Sequence, residues 1–209
     1  MVTISVEQAV KDLRREFVDL TNGEFNKGVS RAINRTLSTS KTTASKEIRK
    51  IYNLSAADVR KEMEVQKAKA SDLTGKLVAE GRLLSLTKFK PIRTSDGISI
   101  EIRKGNRVNI KGAFISGNEK LNGGIYARGK YRGKDFEFRH QRIKQAGGYK
   151  KVNGRYQPIN NDLQIDKLRT ISIPQTMANE TIISTLSTKM QDDFPKRLVH
   201  ELKWIRKKG

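Results

Sequence analysis

Apolar residues recur at helical spacing near both ends of the chain and alternate in its middle. Val6, Ala9, Val10, Leu13, Phe17 and Leu20 form an i, i+3, i+4, i+7 stripe that predicts a helix over 5–21. Thr21-Asn22-Gly23 carries the turn chemistry that ends it. A second stripe, Phe25, Val29, Ala32, Ile33, Leu37, Ala44, Ile48 and Ile51, predicts a long helix over 24–52 with a bend or break in its Ser/Thr-rich middle, 38–45. Ser55, three residues before Asp58, has the form of an N-cap and predicts a short helix at 55–63.

From residue 64 the period shortens to two. Ile98-Ser99-Ile100-Glu101-Ile102 is the clearest strand signal, and an antiparallel sheet is expected from 76–85, 97–103 and 107–116, with Lys104-Gly105-Asn106 as a hairpin turn. Leu168–Ile173 reads as a short strand stopped by Pro174. Ile182, Leu186, Met190, Phe194, Leu198, Leu202 and Ile205 then predict a C-terminal helix over 178–206, which Pro195 should kink or split near Phe194. Phe194, Pro195, Leu198 and Leu202 form the candidate packing or interface face. The expected class is α+β, with N-terminal helices and a long C-terminal helix packed on a small antiparallel sheet. One domain is expected over 1–209: helical 5–63, sheet 64–116, a basic glycine-rich insertion 117–167, and a strand with the C-terminal helix 168–206.

Charge changes this picture more than composition does. With 43 Lys plus Arg against 22 Asp plus Glu, the 209 residues carry a formal charge of +21. Self-repulsion at that charge favours an anionic partner: nucleic acid, a membrane surface or an acidic protein. Ten of the sixteen glycines fall within 105–154, so that stretch is expected to be a loop-rich insertion and not a second core. It also holds the candidate contact residues Arg128, Lys130, Arg132, Lys134, Arg139, Arg142 and Lys144, interleaved with Tyr126, Tyr131, Phe136, Phe138, Tyr149 and Tyr156. Cations neutralise phosphates, glycine lets backbone approach them, and aromatic rings can stack on bases, which suits nucleic-acid contact. The same composition suits a solvated or subunit-facing loop anchored by a few aromatics.

Catalytic chemistry has little to stand on. The absence of Cys removes disulfides, thiolate metal sites and thiol nucleophiles together. His140 and His200 lie far apart, and no paired carboxylates at ligand spacing accompany them. No nucleophile elbow, phosphate loop or dinucleotide fingerprint occurs. Arg139-His140-Gln141-Arg142 with Tyr149 has the residue types of DNA strand-transfer enzymes but not their spacing. Lys46–Val65 has the outline of a helix-turn-helix, yet Ala56, Ala57 and Asp58 stand where base-reading residues are needed. No enzyme, cofactor or metal is therefore expected. No stretch approaches the ~18 apolar residues of a membrane span, and the N-terminus has neither a basic start nor an apolar run, so a soluble chain without an address label and without membrane contact is expected.

The order of short landmarks carries a resemblance. Ala32-Ile33-Asn34-Arg35 and Lys46-Glu47-Ile48 come early. Arg103-Lys104-Gly105 and Gly112-Ala113-Phe114-Ile115 follow, then Ile173-Pro174 and Phe194-Pro195-Lys196-Arg197-Leu198. Over residues 5–205 this series resembles the prophage minor tail protein Z family, the tail-completion or neck proteins of long-tailed phages. The resemblance implies a non-catalytic virion protein at the head–tail junction, assembled in the host cytoplasm as a ring of identical subunits, six by the symmetry of neighbouring tail rings. Its implied partners are the tail terminator and tail tube, the head-connector proteins, and phage DNA passing through without sequence readout. The residues alone would equally suit a free-standing, sequence-independent nucleic-acid-binding protein.

Overall fold

The computed structural model describes residues 7–116, 123–128, 139–143, 149–152, 155–158 and 165–208. Three helices open the chain: α1 (Glu7–Glu16), α2 (Asn22–Ile51) and α3 (Ala56–Lys61). Strands β1 (Met63–Gln66) and β2 (Lys76–Ala79) follow, then one 3-10 turn at Leu86–Phe89. Next come β3 (Ile92–Arg93), β4 (Gly97–Arg103), β5 (Asn106–Lys111), β6 (Ala113–Ile115) and β7 (Ile125–Arg128). After them lie β8 (Arg139–Ile143), β9 (Tyr149–Val152), β10 (Arg155–Pro158) and β11 (Ile165–Arg169). Two helices, α4 (Ile173–Met177) and α5 (Glu180–Arg206), end the described chain. The fold is α+β, and every strand pairing in it is antiparallel among the described residues.

These elements form two compact units. The first takes Met1–Lys50, Ser55–Arg82 and Ile173–Gly209; the second takes Ile51–Leu54 and Leu83–Ser172.

In the first unit α2 begins with a capping box. Thr21 Oγ1 accepts from the Glu24 N–H at 3.3 Å, and Glu24 Oε2 accepts from the Thr21 N–H at 2.9 Å. The expected break at 38–45 does not occur, and α2 runs uninterrupted. The hydroxyls of Ser38, Thr39, Ser40 and Thr42 donate to the carbonyls one turn back, at 2.9, 3.1, 2.9 and 3.4 Å, and so bind within the helix instead of competing with it. Nor does Pro195 split α5, which runs from its Asn179 N-cap to Arg206.

Three cross-contacts set α5 antiparallel to α2. Gly28 faces Leu202 and Ile205, Arg35 meets Glu201, and Arg197 reaches Thr39. Gly28 is what allows the close approach, because a Cβ there would lie 2.7 Å from a Leu202 methyl carbon. The remaining strands of this unit, β1 and β2, form a hairpin in the register Met63↔Ala79 to Gln66↔Lys76.

That pairing corrects the expected sheet. Of 76–85 only Lys76–Ala79 is a strand, and it joins β1 instead of 97–103. The alternating pattern ends at Glu80, whose N–H continues the hairpin to Glu62 O at 2.9 Å.

The second unit holds two sheets, β3-β4-β5 and β6-β7-β11-β8, with β9 and β10 as a separate pair. The β4–β5 hairpin turns at Lys104-Gly105, and Glu101 Oε1 accepts the Gly105 N–H at 2.8 Å. The expected strand 107–116 is divided, since Gly112 sits at φ +70 and leaves β5 in one sheet and β6 in the other. Leu86, Ile98, Ile100, Ile110, Ala113, Ile125, Ala127 and Leu168 form the core of this unit.

Ile125 and Ala127 come from the stretch expected to be a loop-rich insertion without a core of its own, and they pack with Leu168 of the strand that follows it. That expectation is corrected: β7 and β11 pair with each other and supply buried side chains. The strand expected at 168–173 lies instead at Ile165–Arg169, and Pro174 stands in the first turn of α4, where its missing N–H is harmless.

Candidate nucleic-acid interface

Of the seven cations proposed for anion contact, Arg128, Arg139 and Arg142 fall on described strands. Arg128 ends β7 opposite Ile165, while Arg139 and Arg142 lie on β8 opposite Arg169 and Asp166 of β11. β8 is the outer strand of its sheet, so both of its arginines occupy an edge. Lys130, Arg132, Lys134 and Lys144 lie outside the described residues.

The aromatics of this stretch do not share one role. Tyr126 is 1% exposed, with its ring centroid 6.1 Å from that of Phe114 and the Lys167 ammonium 5.8 Å from the ring. Burial pushes its phenol above the usual tyrosine value. It is a packing residue and offers no face to a base. Tyr149 and Tyr156 begin and follow within the β9–β10 pair, and Tyr131, Phe136 and Phe138 lie outside the described residues. Arg139–Arg142 and Tyr149 belong to strands of different sheets.

The C-terminal face resolves in the other direction. Phe194, Leu198 and Leu202 are buried inside the first unit, and Pro195 beside them is half-buried. Their stripe advances four residues at a time from Ile182 to Leu202. Each such step turns ~40° about an ideal helix axis, so the buried side winds through ~200° along α5. Different neighbours must therefore cover its two ends.

A cationic feature that the sequence reading did not single out lies between α2 and α5. A groove of about 450 Å³ is lined by Arg31, Asn34, Arg35, Ser38, Thr39, Lys67 and Arg197. It adjoins a cleft of about 340 Å³ lined by Arg35, Asp193, Lys196, Arg197, His200 and Glu201. Arg31, Arg35 and Ser38 recur on one face of α2 because three- and four-residue steps return to the same side. The Arg31 guanidinium stands 4.5 Å from the Trp204 ring centroid, and Arg197 Nη2 donates to Thr39 Oγ1 at 2.8 Å. The Asn34 amide pairs with Ala68, donating to its carbonyl at 2.9 Å and accepting its N–H at 2.8 Å.

Glu201 is the buried anion of this region. Arg35 Nη1 lies 2.8 Å from its Oε1 and His200 Nδ1 lies 3.8 Å away. The Arg35 contact is close yet misaligned for a hydrogen bond, so it is a charge pairing without a directional bond. Among the described residues there is no group of three or more His, Asp or Glu able to hold a metal ion, and no helix is long and apolar enough to cross a membrane. No family model, curated protein or solved structure matches the chain.

Proposed function

We propose that this chain is a non-catalytic virion structural protein of a long-tailed phage. It would act in tail completion at the neck, assemble as a homo-oligomeric ring, hexameric by neighbouring tail symmetry, and join tail terminator and tail tube to the head connector around the DNA path. The observation that supports it most is the ordered series of landmarks, read together with the charge of +21. Two of those landmarks lie on α2, one at the β4–β5 turn, one on β6, one opening α4 and one in α5. A basic ring suits a passage that DNA must move through, because many weak phosphate contacts without base readout hold it without arresting it.

The alternative is a free-standing nucleic-acid-binding protein, favoured by the same charge. Size in solution at moderate salt separates the two, since a discrete ring supports the first and a monomer with tight, salt-dependent DNA binding supports the second. Changing Arg128, Lys130, Arg132, Lys134, Arg139, Arg142 and Lys144 to Gln is expected to leave folding intact, lower the salt dependence of DNA binding and reduce infectivity through faulty tail joining or genome delivery. Particles carrying the change that join tails, deliver DNA and infect as well as the parent would overturn the role of the patch.

A further inference from the structure

We propose that the groove between α2 and α5 is a second phosphate site, which takes the sugar–phosphate backbone of nucleic acid without regard to base sequence. It lies on elements separate from the basic stretch 128–144 and does not depend on the virion reading, because the groove would bind the same backbone in a free-standing protein. Arg31, Arg35, Lys67 and Arg197 line it together with the hydroxyl residues Ser38 and Thr39, and no carboxylate lines it among the described residues. In the adjoining cleft Lys196 adds a cation, while Asp193 and Glu201 are the anions. Taken together, five fixed cations face two carboxylates, one of which, Glu201, is already matched by Arg35.

Two of the cations are held in place before any ligand arrives. Arg31 rests over the Trp204 ring, which leaves the edge of its guanidinium free to donate. Arg197 is tied to Thr39 through Nη2, yet its buried Nε–H has no acceptor among the described residues. That Nε is closed off from solvent, so a phosphate in the groove would be met by the outer guanidinium nitrogens of the arginines that line it. Arginine suits this task because its planar fork of donors matches the oxygens of a phosphate.

The lining also favours a phosphodiester over an acidic protein surface. Protein interfaces anchor through buried aromatic and aliphatic side chains, and all seven residues of this groove are polar or charged. Contacts made by side chains from helix flanks to phosphates fix position and carry no sequence information.

The test is fluorescence anisotropy of the full chain with a labelled DNA duplex, titrated over a range of salt. One variant carries Arg31→Gln with Lys67→Gln. A charge-matched control carries Lys104→Gln with Lys111→Gln, two exposed positions of the second unit. The groove variant is expected to bind about tenfold more weakly and to lose about two from the slope of log affinity against log salt, one for each phosphate contact removed. The control is expected to keep the slope. Equal slopes in the two variants would overturn the site, since the effect would then follow net charge alone. A parallel titration with polyglutamate distinguishes the other class of partner: a groove variant that loses polyglutamate binding and retains DNA binding also overturns the proposal. If the double variant fails to fold by circular dichroism, Lys67→Gln alone decides, with an expected slope loss of about one.

Discussion

Asp19 and Arg206 show how single residues tie the ends of the first unit together. Arg206 Nε donates to Asp19 Oδ2 at 2.8 Å, a second bond joins Nη2 to Oδ1, and the guanidinium lies 4.4 Å from the Phe17 ring centroid. The Arg206 hydrogen bond holds the Asp19 carboxyl below the usual carboxylate range and raises the arginine in return. A carboxyl lowered by folding stabilises the fold above its unfolded value, and that contribution is lost as pH falls through the folded value. Asp19→Asn is therefore expected to lower the melting temperature at neutral pH and to leave it unchanged in strong acid, where the parent aspartate is itself protonated. Because both side chains are about half exposed, added salt should shrink the neutral-pH difference. A melting difference that persists in acid would mean that the pair acts through packing on Phe17 and not through charge.

At the scale of elements, the buried face of α5 is the most consequential feature. Leu198 is fully buried, and Leu202 one turn on packs at Gly28 of α2. Leu198→Asp puts an unpaired carboxylate into that interior and should cost several kcal/mol of folding stability, with loss of helical circular dichroism and of soluble protein. The failure is expected in the isolated chain, because Leu198 is already fully buried within a single copy. A well-folded, soluble Leu198→Asp chain would show that the face is open. Both α2 and α5 could be read from sequence because a stripe such as Ile182, Leu186, Met190, Phe194 is a local signal, written within one element. Strand partnership is not local. Ile125, Tyr126 and Ala127 of β7 are all buried, so no polar alternation marks them, and the glycines around them suggested a loop. The α2–α5 groove was hidden for a related reason. Arg31 and Arg35 look like ordinary charges on a helix flank, and Arg197 joins Thr39 across 158 positions of sequence. What the charge of +21 suggested was an anionic partner; which cations share a surface only the folded chain displays.

The whole molecule is organised by one long excursion of the chain. Leu84 N–H donates to Ile171 O at 3.3 Å, and Thr170 N–H donates to Leu84 O at 2.9 Å, so the excursion returns to the place where it began. Between those ends lie both sheets and the main core cluster of the second unit among the described residues. The first unit keeps its own buried residues on α2, β2, α4 and α5, from Phe25 and Val29 to Leu202 and Ile205. Replacing residues 85–170 by two glycines joins ends that are already hydrogen-bonded to each other and removes none of those residues. The shortened chain is expected to give a helical circular dichroism spectrum and a cooperative melt. Its melting temperature should fall below that of the parent, because Tyr52 and Leu54, now buried among residues of the second unit, would be left exposed to water. Tyr52→Thr with Leu54→Thr should restore solubility to the shortened chain while weakening the full-length one, where Asn53 N–H is bonded to Ile102 O and Lys104 N–H to Ile51 O at 2.9 Å each. Opposite signs from one pair of substitutions are hard to obtain unless the first unit folds by itself. A shortened chain that stays unfolded in both forms would mean that the two units are one cooperative structure.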